Sequence, residues 1–181
     1  MRLAAIIPFC LVLAGPASAQ DLAERGAKLF VSACLNSEAL ALDRRSSFED
    51  GVRAVAVADH TFAAAKRQGI TKGLSGRPEV TVSRDRTESD YWCHVSSKDL
   101  TADDVTKYFA WVQKKAGNGK KPTSTGPAKW DDAPYDRYIS GRRAEFKSKG
   151  RSLLLEAFHF KSSKGPVGSF TVHIVHSVSD N

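Results

Sequence analysis

Cys93 is directly followed by His94, and a cysteine beside a histidine is the residue pair of thiol nucleophiles, in which the imidazole draws off the proton. The segment around them reads as a strand, however, and successive side chains of a strand point to opposite faces. Adjacency therefore separates this thiol from this ring. Histidine also ligates metals, and five are present. His173 and His176 stand three apart on a strand-like run, so they too face opposite ways. His159 and His173 are expected on the wetter face of neighbouring strands, where directly opposite Cβ atoms come within about 5 Å. A structural zinc takes four ligands, and no carboxylate alternates beside these two, so no metal and no other cofactor is expected.

Other fragments of catalytic motifs fail on spacing. Gly73, Leu74, Ser75 and Gly76 open like a nucleophile elbow, but Arg77 stands where its last glycine belongs, and the segment precedes a strand instead of following one. Gly117, Asn118, Gly119, Lys120 and Lys121 resemble the end of a phosphate loop whose first glycine would have to replace Lys114 inside a helix. The acid pairs Glu49 with Asp50 and Asp103 with Asp104 open helices, where the macrodipole favours negative charge. Asp131 and Asp132, between Trp130 and Tyr135, are loop acids with no identifiable partner carboxylate across a scissile bond. An envelope-directed hydrolase using a carboxylate from the 131–136 loop and a strand histidine, His159 or His173, is the alternative reading these residues leave. The basic residues Arg137, Arg142, Arg143, Lys147, Lys149 and Arg151 straddle a predicted hairpin, with Lys114, Lys115, Lys120 and Lys121 as possible additions. Such a cluster steers a domain toward an anionic partner.

Which anion depends on compartment. Met1 and Arg2 precede an apolar run, Leu3 to Ala14, and Ala17, Ser18 and Ala19 supply small residues before Gln20, the pattern of a secretory signal peptide over residues 1–19. The run is about half of the roughly 20 residues a membrane helix needs, and no later segment is longer or less charged, so no transmembrane segment is expected. Cys10 follows Ile7, Pro8 and Phe9, a poor lead for lipid attachment. A periplasmic or secreted protein is expected, which makes an acidic protein, an acidic polysaccharide or an anionic membrane surface the candidate partner and excludes nucleic acid. Cleavage leaves Cys34 and Cys93, and a single pair in an oxidising compartment invites a disulfide, with a reactive thiol as the competing reading.

The elements that must position these groups follow from periodicity. The chain has 181 residues, 41% hydrophobic and 26% charged, with a formal charge of +7, and residues 20–181 are expected to form one domain. Asp21 and Glu24 suggest a cap for a helix over about 22–35, with Ala23, Ala27, Phe30 and Cys34 inward. Ser47 and Asp50 can open a second helix with Val52, Val55, Ala58, Phe62 and Ala65 inward, ended by Gly69. Val80 and Val82 mark a strand, and Tyr91, Cys93 and Val95 one face of the next. Thr101 and Asp104 form a capping box for a third helix carrying Val105, Phe109 and Val112 inward, and Gly117 stops it. Residues 117–129 read as a flexible loop. Three strands follow, about 141–148, 151–160 and 168–178. The order ααββαβββ implies an α+β fold: a mainly antiparallel sheet of about five strands with helices on one face.

The signal peptide, a helix ending in Phe30-Val31-Ser32-Ala33-Cys34, a strand Tyr91-Trp92-Cys93-His94-Val95 and the capped helix after it resemble small uncharacterised exported (periplasmic) proteins of Gram-negative bacteria with one cysteine pair. The likeness covers residues 22–116. It implies periplasmic placement and a bridge, and transfers no activity. No catalytic constellation survives its spacing test, so the chain reads as a non-enzymatic binding or accessory module.

Overall fold

The computed structural model describes residues 19–42, 48–82, 88–127, 138–148, 151–162 and 164–177. The first helix, α1 (Ala19–Cys34), buries Ala23, Ala27, Phe30 and Cys34 completely, the stripe expected from their spacing. It already runs from Ala19, so Asp21 stands within its first turn and is not the cap. A five-residue helix that periodicity did not reveal, α2 (Ser37–Ala41), follows; Asn36 caps it by accepting from the Ala39 N–H at 2.9 Å. The same side chain donates to the carbonyls of Ala33 and Ala54 at 2.8 and 3.1 Å. One buried amide therefore holds α1, α2 and α3 (Phe48–Arg67) together.

On α3 the inward positions are Gly51, Ala54, Ala58 and Ala65, whereas Val52, expected inside, is 42% exposed. The stripe follows the small residues because α3 lies close on the sheet: a Cβ on Gly51 would come within 2.6 Å of Val80 Cγ2. The helix ends at Gly69 as expected. Ile70 N–H donates to the Ala65 carbonyl and Gly69 N–H to that of Lys66, a closure that needs φ +72° at the glycine.

The strands β1 (Ser75–Val82), β2 (Glu88–Ser97), β3 (Ser124–Pro127), β4 (Tyr138–Ser148), β5 (Arg151–Ser162) and β6 (Gly165–Ser177) form one antiparallel sheet in the order β1-β2-β6-β5-β4-β3. The fold is α+β, as expected, but with six strands in place of about five and an element order of αααββαββββ. The additions are α2 and β3, and β3 falls inside the stretch expected to be a loop at 117–129. Four residues including a glycine and a proline carry no alternation; pairing with β4, from Ser124 opposite Glu145 to Pro127 opposite Arg142, makes them a strand.

Tyr91, Cys93 and Val95 of β2, Phe170, Val172 and Ile174 of β6, Leu153, Leu155 and Ala157 of β5 and Ala144 of β4 align across the sheet and are buried beneath the helices. Helix α3 lies over β1 and β2, α1 over β2 and β6, and α4 (Ala102–Gly117) over β4, β5 and β6. Cys34 and Cys93 form a disulfide that joins the end of α1 to the middle of β2, and Tyr91 Oη donates to the Cys34 carbonyl at 3.2 Å beside it.

The opposite face is not uniformly wet. Thr171 lies in register between His94 and Glu156, and Ser169 between Ser96 and Phe158, and both short side chains are buried. In central strands the longer neighbours, His94 and Glu156 beside Thr171 and Phe158 beside Ser169, overshadow them.

Thr101 caps α4 as the sequence implies, accepting from Asp104 N–H at 3.2 Å while Asp104 Oδ2 accepts from Thr101 N–H at 3.0 Å. Thr101→Ala removes the capping hydroxyl and is expected to cost about 1 kcal/mol. Urea unfolding reads this directly, and an unchanged midpoint would show the cap to be idle.

Candidate functional site

The far end of α4 meets the β4–β5 pair in a cleft of about 150 Å³. Its floor is apolar: Leu40 of α2, Ala116, Phe146 and Leu153. Its polar lining is Asn118, Lys120, Lys147 and Arg151. Helix and strand can approach this closely because Gly117 has no side chain, since a Cβ there would lie 2.8 Å from Phe146 Cε1. Asn118 ends the helix in the left-handed region at φ 44°, and its N–H donates to the Lys115 carbonyl at 3.3 Å. The next turn bonds Lys120 N–H to the Gly117 carbonyl at 2.8 Å, which brings the lysine to the rim.

Each rim cation is placed differently. Arg151 Nη1 donates to the Leu40 carbonyl at 3.0 Å, tying β5 to α2. Lys147 Nζ lies 3.0 Å from Glu145 Oε1. Burial raises the Glu145 carboxyl, but hydrogen bonds from Lys147 and Ser152, the Lys147 charge and the Ser124 hydroxyl together outweigh it and hold the group below its ordinary 4.5. The Lys147 side chain is 62% exposed, so this pair orients more than it stabilises. Among the described residues Lys120 forms no ion pair.

The basic residues expected as one patch are thus divided. Lys147 and Arg151 line the cleft with Lys120, while Arg143 and Arg142 sit four and five positions from Lys147 along β4, about 13 and 17 Å away and on opposite faces of the strand. Arg137 and Lys149 lie outside the described residues. The cleft itself was not legible in the sequence. Its floor joins Leu40 to Phe146 and Leu153, more than a hundred positions away, and α2 gave no signal.

The histidines do not converge. His159 shares the helix-facing side of β5 with Leu153, Leu155 and Ala157, whereas His173 shares the opposite side of β6 with Thr171. The expectation that both stand on the wetter face is therefore corrected. The run Leu153-Leu154-Leu155-Glu156-Ala157-Phe158 is apolar at both parities, so it carried no phase from which to place His159. His159 instead faces Ser140 across the β4–β5 pair, and its Nδ1 and the Ser140 Oγ are buried without hydrogen-bond partners among the described residues. His173 Nε2 lies 2.5 Å from Asp90 Oδ1 without the alignment of a hydrogen bond. The acids of the hydrolase reading, Asp131 and Asp132, lie outside the described residues. Among the described residues no three of His, Cys, Asp and Glu are grouped to hold a metal ion, and no helix is long and apolar enough to cross a membrane.

His94 packs against Trp92 in a tilted arrangement with ring centroids 4.5 Å apart, on the face away from Cys93, so this sulfur and ring are separated by the sheet as their spacing implied. Burial, and then the positive charge of Arg77, push His94 below its ordinary 6.5. The unfolded chain therefore takes up this proton at higher pH than the folded one. The stability from neutral His94 is complete above about pH 6.5 and is lost as the pH falls below it. His94→Phe is expected to flatten that part of the stability profile between pH 7 and 5. Superimposable slopes for the two proteins would refute this.

No protein-family model matches the sequence, and no curated protein matches it.

Proposed function

We propose that the protein is an exported, non-enzymatic binding module of the periplasm or the cell exterior that captures an anionic partner at its basic end. The observation that carries this reading is the cleft at the end of α4, where Lys120 and Arg151 line an apolar floor, with Lys147 beside it on the far face of β4. The cationic excess of the chain, +7, supports long-range attraction of an acidic protein, an acidic polysaccharide or an anionic membrane surface. Export is supported by the apolar run from Leu3 with small residues at Ala17, Ser18 and Ala19, and by a buried cystine of the kind that persists in oxidising compartments. N-terminal sequencing of protein from the cell envelope is expected to begin at Gln20; a retained leader would remove this part of the reading.

Retention on immobilised polyglutamate is expected to weaken steeply between low and high salt, because exposed charges are screened. Lys120→Glu with Lys147→Glu is expected to weaken it about tenfold or more at low salt. Retention that ignores both salt and the double reversal would overturn the proposal.

A further inference from the structure

The outward face of α4 sets one aromatic ring among cations. The inward positions of this helix, Val105, Phe109, Val112 and Ala116, are buried on the sheet. Trp111 lies on the other side and is 37% exposed; with Val52 and Val57 of α3 it is one of the large hydrophobic side chains left open to solvent among the described residues. On a helix the surface neighbours of position 111 are positions 107, 108, 114 and 115. These are Lys107, Tyr108, Lys114 and Lys115, and the three lysines are all exposed. Just past the helix, Lys120 and Lys121 add two more exposed cations. The acids of α4 stand apart in its first turn, where Asp104 is engaged by the Thr101 cap. Glu24 of α1, within reach of the Lys107 charge, is already paired with Lys28 at 2.6 Å.

We infer that this face of α4 docks on an anionic lipid bilayer, with Lys107, Lys114, Lys115, Lys120 and Lys121 against the headgroups and Trp111 reaching the boundary of the acyl region. This rests on the reading of the chain as an exported module that captures an anionic partner, and it names that partner and the surface that meets it. From Lys107 to Lys115 the helix runs about 12 Å, farther than one small anion can bridge, so the complementary charge must itself be extended. The outer side of a helix is convex and encloses nothing, which suits a broad surface. Trp111 decides between extended anions: its amphipathic ring is favoured where an apolar layer meets a wet one, and a dissolved acidic polymer offers no such layer. Because the apolar stripe of α4 is occupied by the sheet, the helix cannot turn it to the lipid, and attachment is by charge with a single aromatic anchor.

The test measures partition of the protein, purified from the cell envelope, onto vesicles of phosphatidylglycerol with phosphatidylcholine and onto vesicles of phosphatidylcholine alone. At low salt the anionic vesicles are expected to bind it about tenfold or more tightly than the neutral ones, and high salt is expected to release it. Each lysine close to an anionic surface contributes about fivefold, so Lys114→Gln with Lys115→Gln is expected to weaken partition about twentyfold. Lys66→Gln with Arg67→Gln makes the same change of net charge at the end of α3, beyond α1 from this face, and is expected to weaken it by no more than about twofold. Trp111→Ser is expected to weaken it about fivefold. No partition at low salt, equal partition onto neutral vesicles, equal effects of the two charge pairs, or indifference to Trp111→Ser overturns the inference. Should Trp111→Ser fail to fold, the two charge pairs decide. Salt-sensitive retention on polyglutamate without partition onto either vesicle would remove this inference and leave the binding-module reading standing, whereas loss of that retention as well would remove both.

Discussion

The double substitution Cys34→Ala with Cys93→Ala is expected to lower the free energy of unfolding by about 4 kcal/mol, the largest single effect anticipated in this molecule. The bond closes a loop of 59 positions, and a cross-link over that distance removes much of the freedom of the unfolded chain. It also lies where two independent parts of the core meet. Cys34 ends α1, Cys93 is the middle of β2 beside Val172 of β6, and neither side chain touches solvent. Domains of this size are stable by about 5 to 15 kcal/mol, so the loss would be a large share of the total. Reduction of the native protein should approach the same value, because alanine and a buried thiol both leave the helix and strand uncoupled. Urea unfolding of the two proteins side by side measures it. A midpoint displaced no further than that of a surface variant would show that α1 and β2 are held by packing alone and that the bond is incidental to stability.

Those parts of the fold built on local chemistry were legible before any coordinates. The capping box of Thr101 and Asp104 is written in four residues, and α4 begins where they place it. The α1 stripe and the β2 face came through because each repeats its buried residues, Ala23, Ala27, Phe30 and Cys34 or Tyr91, Cys93 and Val95, at a single period. Where period and contact diverge, reading failed. Val52 has the right spacing to be inside α3, yet the close approach of helix and sheet selects Gly51 and Ala54, since only small residues fit. The phase of β5 was hidden because its residues are apolar on both faces, which put His159 on the wrong side. For the candidate site, Lys147 and Arg151 were visible as members of a basic cluster. Their separation from Arg142 and Arg143, and their union with Lys120 over Leu40, depend on how α2 and α4 close on the β4–β5 pair. Spacing along the chain holds no record of that closure.

Gly168→Ala is the second substitution expected to do serious harm, at about 3 kcal/mol, the upper end of the cost of overpacking a tight interior. At this position β6 passes directly beneath the chain entering α4. An added Cβ would lie 2.6 Å from Leu100 Cβ and 2.7 Å from the Leu100 carbonyl oxygen. Neither atom can yield by rotating a side chain, because both belong to, or are fixed to, the backbone of a residue that is 1% exposed and adjoins the Thr101 cap. Relief requires α4 to move away from the sheet. Gly51 meets an equally short contact, 2.6 Å, but with one methyl of Val80 and no backbone atom, so Gly51→Ala is expected to be milder, limited by how far the stiff valine side chain can shift. Gly126, on the edge strand β3, has nothing within 4 Å, and Gly126→Ala serves as the control that should change stability by less than about 0.5 kcal/mol. The displacement would also be felt at the other end of the helix. Over 16 residues α4 is a rod about 24 Å long, and a tilt at Leu100 moves Gly117 against Phe146 and reshapes the cleft floor. Unfolding midpoints of the three glycine variants, read together with their retention on immobilised polyglutamate, test both halves of this argument. A Gly168→Ala protein as stable as the Gly126→Ala control would mean that Leu100 does not cross β6 there, and the seating of α4 on the sheet would have to be redrawn.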